Sequence, residues 1–139
     1  MATHALSTRL ADNKVLLVDG SQELSSAQSA LTQAGCKVYV AADGFEALSE
    51  VVQQGPDIVI AATSLPRLNG FQVCALIKRR RRFAGTRVVL WAANDGVFER
   101  ARARIAGSDA LLAGPWSPER LLEALGALLE PRREGQTLV

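Results

Sequence analysis

Short apolar runs alternate with amphipathic stretches five times along this chain, and that rhythm limits the fold it can adopt. Val15–Val18 is the first run, closed by Asp19-Gly20. Residues 22–34 then carry Leu24, Ala27, Leu31 and Ala34 at helical spacing, with Gly35 as the stop. Residues 36–41 predict a second strand. Asp43 caps the next helix and Glu46 supplies a partner three residues later, with Phe45, Leu48, Val51 and Val52 expected on its core side. Gly55-Pro56 ends that helix. Ile58–Ala62 is a continuous apolar run, typical of a strand covered on both faces. A third helix is expected over 70–80, burying Phe71, Cys74 and Ile77, and a fourth strand over 88–93. Asn94 or Asp95 should cap a fourth helix that turns Val97, Ala101 and Ile105 inward and ends at Gly107. A short strand over 109–113 and the turn Gly114-Pro115-Trp116 precede the last helix. Ser117 caps it, Pro118 takes its first position, Leu121, Leu122, Leu125, Leu128 and Leu129 form its stripe, and Pro131 ends it. Alternation of this kind predicts a doubly wound α/β domain: a parallel sheet, helices on both faces, right-handed crossovers.

Composition agrees with one soluble globular domain. The chain has 139 residues, 48% hydrophobic and 22% charged, with a net charge of +2. That charge is too small to imply nucleic acid by itself. Cys36 and Cys74 stand far apart in apolar surroundings, so they read as small buried hydrophobes, with neither a disulfide framework nor a metal site implied. Neither a membrane-length apolar run nor a secretory leader is evident, and a cytoplasmic location is expected. Residues 1–13, which include the single histidine His4, read as a flexible lead-in, 14–130 as the domain and 131–139 as a frayed tail.

The segment PDIVIAATSLPRLNG, Pro56 to Gly70, resembles the third strand and following loop of response-regulator receiver domains. The family pattern is P-D, four apolar residues, D-x-x, an apolar residue, P-x-x, D or N, then G. Pro56, Asp57, Pro66, Asn69 and Gly70 fall in place. VLLVDG resembles the family's first strand, GCKVYVAADGFEAL its second strand and helix, and GSDALLAGPWSPERLLEAL its end, so the likeness runs from Lys14 to Leu129. It implies the flavodoxin-like (βα)5 class, with five parallel strands in the order 2-1-3-4-5.

Receivers move a phosphoryl group onto an Asp at the end of the third strand. They use Mg²⁺ held by acidic oxygens, a cation on the phosphoryl oxygens, and a hydroxyl that reports the phosphate. In this chain the acceptor position is Ala62. Asp19 matches the first of the family's acidic pair, but Gly20 stands at the second. The hydroxyl position falls on Ala92, or on Trp91 in a register one residue earlier. The family's Lys-Pro is Gly114-Pro115, and its switch aromatic falls on Leu111. Five positions changed together imply a degenerate pseudo-receiver without phosphotransfer, metal or cofactor, and not an enzyme. Asp57 is no substitute: it begins the strand, ~16 Å from Ala62 at ~3.3 Å per residue. Thr63 and Ser64 read as loop hydroxyls bonded to local backbone. By resemblance to the Lys-Pro bond, Gly114-Pro115 is expected to be cis.

Trp91 and Trp116 flank the emptied position. They read as core filling, with a small apolar or aromatic ligand pocket as the alternative. The basic run Lys78-Arg79-Arg80-Arg81-Arg82 should close the third helix, and Arg100, Arg102 and Arg104 should extend it into a patch at the end of the domain opposite the site. Such cations suit helix C-termini, or an acidic protein partner; nothing else supports nucleic acid. The resemblance places the partner surface on the fourth helix, fifth strand and fifth helix, with Phe98, Arg100, Arg102, Arg104 and Leu111 as candidates. The expected function is a phosphorylation-independent adaptor in bacterial signalling, acting through an unidentified protein partner, with a homodimer left open. A ligand-responsive domain and an unorthodox phosphotransfer receiver are the alternatives.

Overall fold

Each central strand divides its side chains between two cores, which is why its sequence is apolar throughout. A computed structural model describes residues 10–19, 21 and 24–129. The strands are β1 (Lys14–Val18), β2 (Lys37–Ala41), β3 (Ile58–Ala62), β4 (Arg87–Ala92) and β5 (Ala110–Ala113). They form one parallel sheet in the order β2-β1-β3-β4-β5. The helices are α1 (Leu24–Gln33), α2 (Gly44–Gln54), α3 (Gly70–Lys78), α4 (Val97–Ala106) and α5 (Pro118–Leu129). Leu16, Val18, Val59, Ala61, Val88 and Leu90 pack under α2, α3 and α4. Val15, Leu17, Ile58, Ile60 and Val89 pack on the opposite face, under α1 and α5. The fold expected from the resemblance, strand order included, is the one observed.

Local chemistry sets the helix ends. Asp43 accepts a hydrogen bond from the Glu46 amide at 2.8 Å. The Glu46 carboxylate turns to the Ala42 amide, one residue before the expected cap partner. Asn69 and Gln72 form a full capping box at the start of α3. Gly55 and Gly107 close α2 and α4 in the left-handed conformation.

Several expectations need correction. In α2, Phe45 and Val52 are half exposed, because Ala47 and Val51 take the inward positions. The Arg67 guanidinium covers Phe45 instead, 4.6 Å from the ring centre. In α4 the phase is reversed. Val97 and Ile105 are 81% and 86% exposed, and Ala101 is exposed, while Ala103 and Ala106 face the core. The cap of α4 is Gly96, with no side-chain bond, since Asp95 is engaged by Arg100. Helix α3 stops at Lys78, and Arg81–Phe83 forms a separate 3₁₀ turn. The Gly114-Pro115 bond is trans, as is every peptide bond among the described residues. Gly114 lies at φ 92°, and this left-handed backbone turns the chain without a cis bond. Packing also begins before Lys14: Leu10 is fully buried, and its carbonyl accepts from the Asn13 amide. The expected lead-in up to residue 9 and the tail beyond 129 lie outside the described residues.

Candidate functional site at the carboxyl edge of the sheet

Parallel strands bring their carboxyl ends to one edge, and β1, β3, β4 and β5 end there around a shared hollow. Asp19 leaves β1 with its amide bonded to the Ala41 carbonyl. Its carboxylate is satisfied locally, accepting from the Ser21 amide at 3.1 Å and the Ser21 hydroxyl at 2.6 Å. Gly20 lies outside the described residues. Ala62 ends β3 beside Trp91. Beyond it, Thr63 donates its amide to the Trp91 carbonyl, and Gly70 donates back to the Thr63 carbonyl. Gly70 has to be glycine: a Cβ there would meet the Ala62 carbonyl oxygen. Ala92, 1% exposed, ends β4.

Trp91 and Trp116 close the hollow together, with ring centres 4.8 Å apart and planes at 51°. Trp91 donates its indole N–H to the Gly114 carbonyl at 3.0 Å. The Trp116 Nε1 is buried with no partner among the described residues. The space left between Asp19, Ala62, Trp91 and Trp116 is about 40 Å³. Ligand sites run to ~300 Å³ and more, so this hollow matches a few water molecules in size. The rings fill the edge, as the core-filling reading expects.

One cation does reach this edge, and the sequence reading missed it. Arg120, on the first turn of α5, donates Nη1 to the Ala113 carbonyl at 2.7 Å. Its guanidinium lies 5.9 Å from the Trp91 ring centre. A Cβ built on Gly114 would lie 3.8 Å from Arg120 Nη1, so the arginine stands beside the position where the resemblance implies a lysine. Its distance from the Gly114-Pro115 pair in sequence hides it.

The Mg²⁺ that the family implies does not suit these side chains. It binds through one or two carboxylates plus phosphoryl oxygens. Among the described residues Asp19 is the sole carboxylate lining the hollow, and each of its oxygens accepts a bond from Ser21. Among the described residues no three His, Cys, Asp or Glu side chains cluster.

The arginines of α4 diverge. Arg100 forms a two-bond pair with Asp95, at 2.7 and 2.6 Å. Those bonds hold the Asp95 carboxyl below, and the Arg100 guanidinium above, their ordinary ranges. Arg102 turns the other way and lies over Phe71, 4.2 Å from the ring centre. Arg104 joins Arg100, Arg120 and Ser108 around a groove of about 480 Å³ between α4, β5 and α5. The expected patch at the far end of the domain forms only in part: Arg102 lines a groove with Arg79 between α3 and α4, while Arg100 and Arg104 face β5 and α5. Phe98 is 80% exposed, whereas Leu111 is half-buried against the core. Lys78 also leaves the expected basic patch: its ammonium pairs with Asp109 at 2.7 Å and donates to the Thr86 carbonyl at 2.8 Å. Asp57 caps β1 from below, accepting from the Lys14 amide at 2.8 Å.

Comparison with known proteins decides the family: the model of the response regulator receiver domain matches residues 15–126. The chain belongs to that family. It is 41% identical to Protein PilG of Pseudomonas aeruginosa over 115 residues, 82% of this chain and 85% of that protein. It is 34% identical to the response regulator MprA of Mycobacterium sp. (strain KMS) over 119 residues, covering 84% of this chain but only 50% of MprA. Among solved structures, the chemotaxis response regulator CheY4 of Vibrio cholerae superimposes with a TM-score of 0.79 at 26% identity, covering 85% of this chain and 99% of that one. This is a receiver domain of two-component signalling. Among the described residues, no helix of this receiver is long and apolar enough to cross a membrane.

Proposed function

We propose that this receiver works without phosphorylation, as a cytoplasmic pseudo-receiver that binds a signalling protein. The observation that carries the reading is the edge itself. Its strand ends present Ala62, Ala92 and Gly114, and the lone carboxylate among the described residues there, Asp19, accepts from the Ser21 amide and hydroxyl. Phosphoryl transfer needs a nucleophilic oxygen and neutralised charge at one point. An alanine supplies no oxygen, and the two indoles flank a hollow of only about 40 Å³.

The partner surface is the face of α4, β5 and α5. Phe98 and Val97 stand out from α4, and Arg100, Arg104 and Arg120 surround the adjoining groove. Exposed apolar side chains rimmed by charge are what a docking face requires. With no phosphate to bias two states, binding is constitutive.

Two measurements test this. Incubation with acetyl phosphate and Mg²⁺, followed by intact-mass spectrometry, is expected to show no added phosphoryl group; stable incorporation would overturn the reading. A tagged pull-down after nuclease treatment then compares the native protein with Arg100→Glu/Arg104→Glu. A partner held by the native protein and lost by the variant supports this surface. The same proteins recovered with both, or none, removes it.

A further inference from the structure

The break after Lys78 changes what the arginine run does. On a continuous helix, consecutive residues fan out ~100° apart and cannot share a target. Here Arg79 ends the helix, Arg80 is extended at φ −95° and ψ 124°, and Arg81–Phe83 turns back as a 3₁₀ segment. Arg80, Arg81 and Arg82 consequently line one groove of about 460 Å³ between α2 and α3. The floor of that groove is apolar. Val52 is 52% and Leu76 39% exposed, and both line it beside Phe83. These are the outward apolar positions of α2 and α3, and no element of the described chain covers them.

Neutralising the ends of α2 and α3 does not account for the run. Among the described residues its one side-chain bond to a helix-end carbonyl is Arg82 Nη2 to the Val52 oxygen, at the outer limit of 3.5 Å. Arg82 is further held against the Phe83 ring, 5.3 Å from its centre. The side chains of Arg79, Arg80 and Arg81 make no hydrogen bond or ion pair among the described residues, and all three residues are exposed. Their charge is free to meet a partner's.

We propose that this groove is a second docking site, separate from the α4–β5–α5 face, for an acidic amphipathic helix of a partner protein. The helix would lay an apolar stripe against Val52, Leu76 and Phe83 and set its carboxylates against Arg80 and Arg81. Charge complementarity selects an acidic occupant, and the apolar floor between two helices selects a helix with a hydrophobic face. Nucleic acid matches the floor poorly: the described groove offers one partly buried aromatic ring and no run of stacking platforms.

Fluorescence anisotropy tests this with a labelled acidic peptide carrying leucines at i, i+3, i+4 and i+7. A second peptide has the same composition with the leucines scattered around the helix. The patterned peptide should bind at least about tenfold tighter than the scattered one. Arg80→Glu/Arg81→Glu and, separately, Leu76→Gln should each weaken it severalfold, while Arg100→Glu should not. Amide shifts on titration should centre on Val52, Leu76 and Phe83. Equal affinity for the two peptides, no binding, or indifference to both groove variants would overturn the proposal. So would a single-stranded oligonucleotide that binds more tightly than the patterned peptide and is lost with the same arginines. All variants lie on the surface, and far-UV circular dichroism verifies that each is folded.

Discussion

Lys78 Nζ sits 2.7 Å from the Asp109 carboxylate, and the same oxygen accepts the Val88 amide at 2.7 Å. One carboxylate therefore ties the end of α3 to the start of β4 and the approach to β5. Asp109→Ala should take the acceptor from the Val88 amide and leave the partly buried Lys78 ammonium with only the Thr86 carbonyl. We expect a loss of about 1–3 kcal/mol of stability, read as a lower urea midpoint with an unchanged slope. Lys78→Met removes the cation and keeps the apolar stem, and should cost less.

The two tryptophans should respond differently to the same substitution. Trp91→Phe removes the bond to the Gly114 carbonyl and should cost about 1 kcal/mol. Trp116→Phe removes an N–H that has no partner among the described residues and should change stability by less than about 0.5 kcal/mol. Urea unfolding of the two variants side by side checks the contrast; equal losses would show that the Trp116 N–H is satisfied after all.

Gly114 stands in the way of any simple reversal at the site. At φ 92° an L side chain is strained, so Gly114→Lys should destabilise by about 1–2 kcal/mol even though lysine is what the resemblance implies there. Ala62→Asp alone should not accept phosphate from acetyl phosphate. The check is thermal unfolding for the first variant and intact mass for the second.

The sheet was legible because each strand is apolar on both sides and ends in strong turn chemistry. Helix α4 was not, because its packing inverts the usual rule. It presents Ala103 and Ala106 inward, with the Cys74 thiol donating to the Ala106 carbonyl, so its large apolar residues were read as core when they face out. The receiver family could be read from the Pro56–Gly70 pattern and its companions. Arg120 could not, since only the fold carries the first turn of α5 to the Trp91 ring. The arginine run was assigned to a helix end because helix propensity gives no hint that Arg80 is extended; tertiary packing of Phe83 and the Lys78–Asp109 pair decide it.

Burial pushes both thiols up, Cys36 and Cys74 each to about 11 from 9.0. The folded state thus favours the protonated thiols. Their contribution to stability is complete below pH 9.0 and is lost as pH rises through about 11. The urea midpoint should fall over that interval more steeply in the native protein than in Cys36→Ala/Cys74→Ala. At neutral pH both thiols should react with a disulfide reagent far more slowly than in urea.

Because α4 holds to the core through the small side chains of Ala103 and Ala106, most of its length carries no structural obligation. Exposed positions such as Val97, Phe98, Ala101 and Ile105 can change over evolutionary time for about 0.5 kcal/mol or less each. On the docking face proposed above, a helix so lightly committed to the fold would let a lineage exchange one binding specificity for another by surface substitution, while the sheet beneath it stays unchanged.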